Sequence, residues 1–421
     1  MDPITAATVN HQSWAAALAA VAGGTVEPLG SGTMTYLPTG GGDVQVLYTG
    51  EGTEAGRIAD RVLERARVYG AVREAGWWAA GDGGGLGGRL LARGFQWGWQ
   101  PHWMACDLTR WSGDWTPPRN VALDEAAGDV DWNATDLPYH DVPWERRFGA
   151  LLRHQPGRTR ILFARQARTV VGKVVLHVQP DGAVAGLYEC GVVERARRRG
   201  VGAALTGAAL HAAREMGCDL AVLNATPMGE RLYSRLGFAP TGRGQTWWLL
   251  DGRAAAPPPE PSLIALVEAI AGQDADRLQA SLATLRARPG GFDPEGRLPC
   301  GLRPLQVAAL LGRPEAARIL LANGSHLDVL TAWDLGWHDR ARDLLDADPG
   351  AAGRLEWEDQ ATLMHRAVER NDEALLVLLL AYHPDLEARD AIYHATPLGW
   401  AEHQERPHLA ALLREHIASH R

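Results

Sequence analysis

The proline-rich segment Ala254–Pro261 is the feature of this sequence that most constrains how the chain can fold. Its four prolines cannot continue a helix or a central strand, so the segment is typical of a linker between separate regions. Residues 1–253 alternate between strand-like and helix-like patterns, whereas residues 262–421 contain only short helix-like segments. The sequence therefore predicts an α/β body followed by an all-α region.

Composition and charge narrow the class of protein. The 421 residues are 46% hydrophobic and carry a formal net charge of −8, which argues against an obligate nucleic-acid binder. The four cysteines form no C-x-x-C pair, as is typical of a reducing compartment, and no histidine has metal-ligand spacing. No signal peptide or bilayer-spanning run is recognisable. We expect a cytoplasmic protein without a metal, a nucleic-acid partner or a membrane.

The region after the linker contains a repeated pattern. Thr362–Ala367 and Thr396–Ala401 begin 34 residues apart, and Arg303–Ala308 begins 59 residues before the first of them. These segments resemble the T-P-L-H-x-A signature of ankyrin repeats, in which Thr caps a helix and Pro occupies its first turn. The resemblance implies a helical solenoid over 262–421 that binds a protein partner or a second copy of the chain. A generic helical bundle is the alternative.

The motif that indicates chemistry is Arg197-Arg-Arg-Gly-Val-Gly202, which lies between a predicted strand, Ala183–Glu194, and a predicted helix, Val201–Met216. A glycine-rich turn that begins a helix directs several backbone N–H groups at one point, where the helix dipole adds positive charge. The neighbouring arginines can add charge-assisted hydrogen bonds. The motif therefore predicts a site for a pyrophosphate.

Together with two later motifs, this loop resembles the acyl-CoA loop of the GNAT acetyltransferase superfamily. The later motifs are Asn224-Ala-Thr-Pro227 and Leu232-Tyr-Ser-Arg-Leu-Gly-Phe238. The resemblance implies acetyl-CoA as co-substrate and Tyr233 as the general acid that protonates the departing thiolate. A tyrosine that only packs beside the co-substrate is the alternative. The resemblance to the GNAT superfamily also implies the following acetyl-CoA-binding residues: Val192, Val193, Arg197, Arg198, Arg199, Gly200, Val201, Gly202, Ala203 and Asn224.

The implied reaction is attack by a primary amine on an acetyl thioester, and the amine must first lose a proton. Tyr188 and Glu189 lie on the strand that leads into the loop, where members of the superfamily often carry the base. Adjacent strand residues face opposite sides of a sheet, so only one of the two is expected to reach the acceptor. We favour Glu189 as the base; a carboxylate that only orients the amine, or a water chain, is the alternative. Glu194 is assigned no catalytic role.

The first part of the chain resembles a damaged copy of the same plan. Gly87–Phe95 is similar to Gly229–Phe238, but Leu91 is nearest to the place of the tyrosine. The corresponding loop, Thr49–Gly56, has two carboxylates and no arginine, so it would repel a pyrophosphate. This predicts a degenerate GNAT-like first half at 1–112 and a catalytic half at 113–253. The pattern Gly83-x-Gly85-x-x-Gly88 matches a dinucleotide fingerprint, but the helix after it is too short for one.

A tryptophan-rich segment precedes the catalytic half. Trp97, Trp99 and Trp103 partly alternate with period two, which favours a core strand with one solvated face. The functional alternative is an aromatic wall of a substrate pocket. His102, His140 and His154 are candidates to line such a pocket, although each is more typical of an ordinary packed or surface histidine.

Three functions fit these motifs. The first is an acetyl-CoA-dependent N-acetyltransferase of a small amine, such as an antibiotic or an amino-acid-like metabolite, with a role in detoxification or self-resistance. The second is an acetyltransferase of a protein or peptide that the repeats recruit. The third is a non-catalytic scaffold that senses acyl-CoA, against which the intact loop and Tyr233 argue. An aminoacyl-tRNA acceptor is disfavoured by the net charge.

Overall fold

The computed structural model divides the chain into two compact units. Unit 1 comprises Met1–Ile264 with Pro299–Gly301, and unit 2 comprises Ala265–Leu298 with Leu302–Arg421. The structure describes residues 1–30, 32–38, 42–48, 54–69, 72–81, 85–113, 115–126, 137–138, 142–250, 253, 256–355 and 359–419.

Unit 1 is built on two mixed sheets, as the alternating pattern predicts. The strands are β1 (Thr25–Leu29), β2 (Gly32–Leu37), β3 (Asp43–Leu47), β4 (Glu74–Ala79), β5 (Gln96–Trp97), β6 (His102–Asp107), β7 (Ala122–Glu125), β8 (Thr159–Gln166), β9 (Thr169–Val178), β10 (Val184–Val192), β11 (Leu220–Ala225), β12 (Ala239–Arg243) and β13 (Gln245–Leu249). The helices are α1 (Pro3–Val21), α2 (Glu54–Tyr69), α3 (Leu86–Leu91), α4 (Val142–His154), α5 (Val201–Glu215) and α6 (Pro227–Arg235).

The two sheets exchange strands. The first sheet has the order β1-β2-β3-β4-β13-β5 and the second the order β12-β6-β11-β10-β9-β8-β7. Thus β13 from the second half lies inside the first sheet, and β6 from the first half lies inside the second. Between β12 and β13 the chain passes so close to β4 that a Cβ on Gly244 would lie 2.4 Å from the carbonyl oxygen of Ala79. The boundary expected at 112/113 therefore separates two stretches of sequence, but each sheet contains strands from both of them.

The tryptophan-rich segment takes part in this exchange, and for that reason it is not one continuous strand. Trp97 belongs to β5 in the first sheet, whereas Trp103 belongs to β6 in the second. The period-two interpretation is wrong for the segment as a whole, because the chain changes sheets between those two residues.

Helix α1 packs on both sheets of unit 1. It contacts β2 of the first sheet and β10 of the second, and its alanines and Trp14 are buried on more than one side. Asp2 caps the helix by accepting a hydrogen bond from the N–H of Thr5 at 3.0 Å. A helix that buries residues on more than one side is suited to an interior position of this kind.

In the described part of unit 2 the chain forms short helices, as the sequence predicts. They are α7 (Pro261–Gly272), which begins in unit 1, α8 (Ala275–Arg286), α9 (Pro304–Leu310), α10 (Pro314–Ala322), α11 (Val329–Asp334), α12 (His338–Ala347), α13 (Leu363–Glu369), α14 (Glu373–Leu380), α15 (Pro397–His403) and α16 (Pro407–Ser419). Thr362 and Thr396 cap α13 and α15 with their side chains, as expected from the repeated pattern. None of the described helices is long and apolar enough to cross a membrane.

Candidate active site

The site is organised by two parallel strands that separate. The pairing of β10 with β11 runs from Val184 opposite Leu220 to Leu187 opposite Leu223, and β10 then continues to Val192 beside β9 alone. Beyond Leu187 the β11-facing edge of β10 is open, which creates a cleft at the carboxyl ends of two parallel strands. Ligands of open α/β sheets commonly bind at such a position.

Helix α5 begins at the mouth of this cleft. Its N-cap, Gly200, has φ 81°, and none of the described side chains caps the helix. The first N–H groups of an α-helix have no partner within the helix, so they are available to an anion. Arg198, which also has a positive φ, and Arg199 are exposed, whereas the Nε of Arg197 donates to the carbonyl oxygen of Val192 at 3.2 Å. The loop thus presents backbone donors and two exposed arginine side chains near the start of α5.

At the end of β10, the two valines expected to bind the co-substrate differ in the direction of their N–H groups. The N–H of Val193 donates to Val171 of β9 at 2.9 Å, so Val193 is engaged within the sheet and buried. By strand alternation the N–H of Val192 points the other way, into the cleft. A Cβ on Gly202 would lie 3.2 Å from Leu232 of α6 and 3.8 Å from Val192, so the first turn of α5 lies close to both α6 and the end of β10.

Asn224 lies on the other side of the cleft. It is one residue beyond the last β10–β11 pair, and its Oδ1 is buried without a hydrogen-bond partner among the described residues. A buried amide oxygen without a partner is costly unless a ligand supplies a donor. The amide N–H groups of a pantetheine arm are donors of this kind, so Asn224, the N–H of Val192 and the start of α5 fit an acyl-CoA.

The second sheet has two faces at the cleft. On one, Leu205 of α5 packs over Gly172, and we call this the α5 face. On the other, Ser13 of α1 hydrogen-bonds to His177 of β9, and we call this the α1 face.

Tyr233 reaches the cleft on the α5 face. Its neighbour on β10 is Cys190: burial raises the pKa of the Cys190 thiol, and the Tyr233 side chain, as a hydrogen-bonding neighbour, partly opposes the increase. The ring of Tyr233 is mostly buried and meets Phe238 edge to face, with the ring centroids 5.8 Å apart. The phenol of Tyr233 is thus held beside Cys190, which lies two residues before Val192 on β10.

Glu189 reaches the cleft on the α1 face. Its Oε2 lies 3.3 Å from the Nζ of Lys173, which shares a strand face with His177 by alternation along β9. Tyr188 also reaches this face, since its hydroxyl donates to Oδ1 of Asn10 at 2.6 Å. The expectation that residues 188 and 189 face opposite sides is therefore wrong.

A β-bulge is the physical reason. Glu189 has φ 50°, and the β9–β10 register shifts between Tyr188 and Gly191. One extra residue on β10 interrupts the alternation, so Glu189 follows Tyr188 to the α1 face and Cys190 takes the α5 face.

Sequence reasoning missed a group of polar residues in α1. Asn10 donates to the carbonyl oxygens of His177 and Val184, and His11 Nδ1 lies 2.6 Å from the Tyr48 hydroxyl. Burial lowers the pKa of His11 to about 4, and burial together with the nearby Arg158 lowers the pKa of His177 to about 3. The signal was four consecutive polar residues, Asn10–Ser13, inside an otherwise apolar helix.

The remaining candidates are dispersed. Trp97 and Trp99 are 41% and 45% exposed, whereas Trp103 is 2% exposed. His102 lies 3.3 Å from a carboxylate oxygen of Glu230, and His154 is exposed at the end of α4. His140, residues 49–53 of the loop in the first half, and Gly83 lie outside the described residues. Within the described ranges, no group of three His, Cys, Asp or Glu side chains could hold a metal ion.

Comparison with known proteins gives a family match for part of the chain. Residues 129–238 match the Acetyltransferase (GNAT) family. No curated protein matches the chain. The solved structures similar to it include a GCN5-related N-acetyltransferase from Kribbella flavida, at 18% identity over 57% of this chain and 95% of that chain, with a TM-score of 0.44. A tandem GNAT protein from the clavulanic acid biosynthesis pathway is also similar, at 18% identity over 54% of this chain and 79% of that chain, with a TM-score of 0.41.

Proposed function

We propose that the chain transfers the acetyl group of acetyl-CoA to a primary amine of a small molecule, since residues 129–238 match the Acetyltransferase (GNAT) family. The observation that carries this proposal is the cleft between β10 and β11, with Tyr233 on its α5 face and Glu189 on its α1 face. The two groups handle protons on opposite sides of the place where a thioester would lie.

In this proposal the start of α5 binds the pyrophosphate of acetyl-CoA through the backbone of residues 198–203 and the side chains of Arg198 and Arg199. The N–H of Val192 and the amide of Asn224 bind the pantetheine arm, and Val193 and Arg197 support the end of β10. The co-substrate supplies an acetyl group activated as a thioester. Gly200 and Gly202 keep the approach to the helix open.

The proposed chemistry requires two proton transfers. Glu189 accepts a proton from the amine on the α1 face, so that the nitrogen lone pair can form the new C–N bond. Tyr233 donates its phenolic proton to the sulfur on the α5 face as the C–S bond breaks. A small acceptor is favoured because α1 covers the face on which Glu189 lies, and the Glu189 side chain is only 24% exposed. Antibiotic amines and amino-acid-like amines are of suitable size.

The test is release of CoA thiol from acetyl-CoA against a panel of amines, aminoglycosides, peptides and amino-acid antibiotics. Tyr233→Phe should lower kcat roughly 100-fold or more for the best acceptor. Ser234→Ala, a neighbouring exposed position on α6, is the matched control and should retain the parent rate. If Tyr233→Phe keeps the parent kcat over the whole pH range, the general-acid role is wrong. Binding of acetyl-CoA without turnover of any amine would favour the acyl-CoA-sensing scaffold.

We further propose that unit 2 is an ankyrin-like array. The support is its repeated geometry: in each of five successive helix pairs a left-handed residue joins the two helices, and these residues are Gln273, Gly312, Gly336, Asn371 and Glu405. In four of these pairs, the residue after the left-handed one donates its N–H to the carbonyl oxygen five residues earlier. Asp372 donates to Ala367 in this way, and Arg406 donates to Ala401. Such arrays bind protein partners or second copies of their own chain.

This array favours one second candidate function, acetylation of a protein that the array recruits. Ile392 and Tyr393 are 63% and 72% exposed on a loop that Asp390 holds by accepting their backbone N–H groups. If recruitment operates, Ile392→Ser with Tyr393→Ser raises KM for a protein acceptor and leaves KM for a small amine unchanged. If the variant and the parent have the same KM for the protein acceptor, recruitment through this loop is excluded.

The proposed place of action is the cytoplasm, which suits the use of acetyl-CoA and the free cysteines.

A further inference from the structure

We propose that Lys173 is a positioning residue that holds the Glu189 carboxylate ionised and on the acceptor side of the cleft. The proposal rests on the proposed function, since it concerns the group assigned there as the base. Lys173 is the only lysine of the chain, and its side chain is fully buried.

The environment of Lys173 argues against a purely structural role. It lies on β9, and Val175, the next residue on the same face of that strand, is also fully buried. Desolvating an ammonium there costs several kcal/mol, and an apolar side chain of similar volume would commonly pack equally well or better. A buried lysine at this position therefore needs a reason beyond stability, and its contact with Glu189 at 3.3 Å supplies one.

The local backbone is shaped around this contact. Glu189 has a left-handed backbone, which is unfavourable for a residue with a side chain. The residue opposite Lys173 in the β9–β10 register is Gly191, at which a Cβ would lie 3.1 Å from Pro138. Before the bulge, the hydrogen bond from Tyr188 to Asn10 fixes the strand. The bulge is therefore held on both sides of Glu189.

The charge of Lys173 has a defined effect on Glu189. An ammonium within hydrogen-bond distance favours the ionised form of a carboxylate, and only that form can accept a proton from the amine. The other described titratable groups nearby on the α1 face are Tyr188, His177 and His11, and each has its own partner in Asn10, Ser13 or Tyr48. Among the described residues, Lys173 is thus a cation that contacts Glu189 directly.

The experiment compares Lys173→Met, Lys173→Gln, Glu189→Gln and the double variant Lys173→Met with Glu189→Gln in the full chain. For Lys173→Met we expect kcat to fall roughly 10- to 100-fold, because a mispositioned base is inefficient. The acidic limb of the pH–kcat profile should move upward by about one pH unit or more, and KM for acetyl-CoA should stay unchanged. Lys173→Gln keeps a donor without the charge and should show the same upward shift, which protects the test if Lys173→Met folds poorly.

Two further comparisons make the result decisive. Arg93→Met is the matched control, since Arg93 is another buried cation, paired with Asp60 at 2.7 Å in the first half; it should leave the acidic limb in place. In the Glu189→Gln background, Lys173→Met should have no further effect on kcat. If the acidic limb is lost in Glu189→Gln but does not move in either Lys173 variant, the role of Lys173 is wrong and the proposed function stands. If Glu189→Gln keeps both rate and limb, the base itself is misassigned.

Discussion

Single residues of β10 divide the chemistry of the cleft between two faces. Cys190 meets Tyr233 on the α5 face, and Glu189 meets Lys173 on the α1 face, although the two residues are neighbours in sequence. The backbone of Glu189, at φ 50°, places Tyr188 and Glu189 on the same side. The groups proposed to transfer protons are therefore placed by one extra residue in a strand rather than by regular alternation.

In the proposed function, access of acetyl-CoA to α5 depends on Gly202. In Gly202→Trp the indole would fill the space between the first turn of α5 and the end of β10, where even a Cβ would lie 3.2 Å from Leu232. We expect calorimetry to show a single acetyl-CoA site per parent chain and binding weakened by roughly 100-fold or more in the variant.

His211→Trp provides the matched control for this measurement. His211 lies on the same helix with 60% of its side chain exposed, so the substitution adds the same indole away from the cleft and should leave Kd unchanged. Two acetyl-CoA sites per parent chain would contradict the view that the loop of the first half no longer binds a pyrophosphate.

His177 makes the stability of unit 1 depend on pH. Its pKa is lowered from 6.5 to about 3 in the folded protein by burial and by Arg158. Between these values the unfolded chain binds a proton that the folded chain does not, so stability is complete above pH 6.5 and falls as the pH decreases. The loss amounts to about 2 kcal/mol at pH 5.

His177→Gln should remove this contribution, because glutamine stays neutral and can still bond to Ser13 and Thr159. Guanidinium titrations at pH 7 and pH 5 would show a smaller difference in the free energy of unfolding in the variant. His154→Gln, at an exposed histidine, should keep the full difference. An unchanged difference in His177→Gln would mean that His177 is not the titrating group.

At the level of elements, hydrophobic periodicity predicted the individual strands and helices but not which strands pair. The predicted strand Ala183–Glu194 and helix Val201–Met216 begin and end within two residues of β10 and α5, because hydrophobic periodicity is a local property. The exchange of β6 and β13 depends on contacts more than 100 residues apart, which periodicity does not encode. The bulge at Glu189 likewise depends on partners from α1 and β9.

Helix α1 stabilises the strand that carries the proposed base. In Asn10→Leu the Tyr188 hydroxyl loses its acceptor, and the carbonyl oxygens of His177 and Val184 lose their donors. Leaving buried polar groups unpaired costs about 1–3 kcal/mol for each group, and we expect the free energy of unfolding to fall by at least that amount.

The same substitution should lower kcat more than it changes KM for acetyl-CoA, because Tyr188 directly precedes the bulge. Val9→Ala, at a 37% exposed position of the same helix, is the control and should leave kcat and the free energy of unfolding close to the parent values. An Asn10→Leu protein with parent stability would show that the hydrogen bonds of Asn10 are replaced by others.

For the whole of unit 1, strand exchange makes each half incomplete without the other. β6, from residues 1–112, pairs along β11 from Asp107 opposite Leu220 to His102 opposite Ala225, and it also pairs with β12. Without it, β11 would lose its partner on the side away from β10, and the backbone groups of an interior strand would be left unpaired. The first half therefore contributes to the cleft although its own loop has no arginine.

A chain of residues 113–421 tests this dependence directly. We expect it to bind acetyl-CoA far more weakly than the full chain, and to lose β-structure by circular dichroism, because Asn224 lies on a strand that requires β6 as its neighbour. Residues 1–112 supplied as a separate co-expressed chain should restore binding, since the exchange needs β6 and not the peptide bond between residues 112 and 113. If residues 113–421 alone bind acetyl-CoA with the parent Kd, the second sheet does not depend on the exchanged strand, and the first half has some other role.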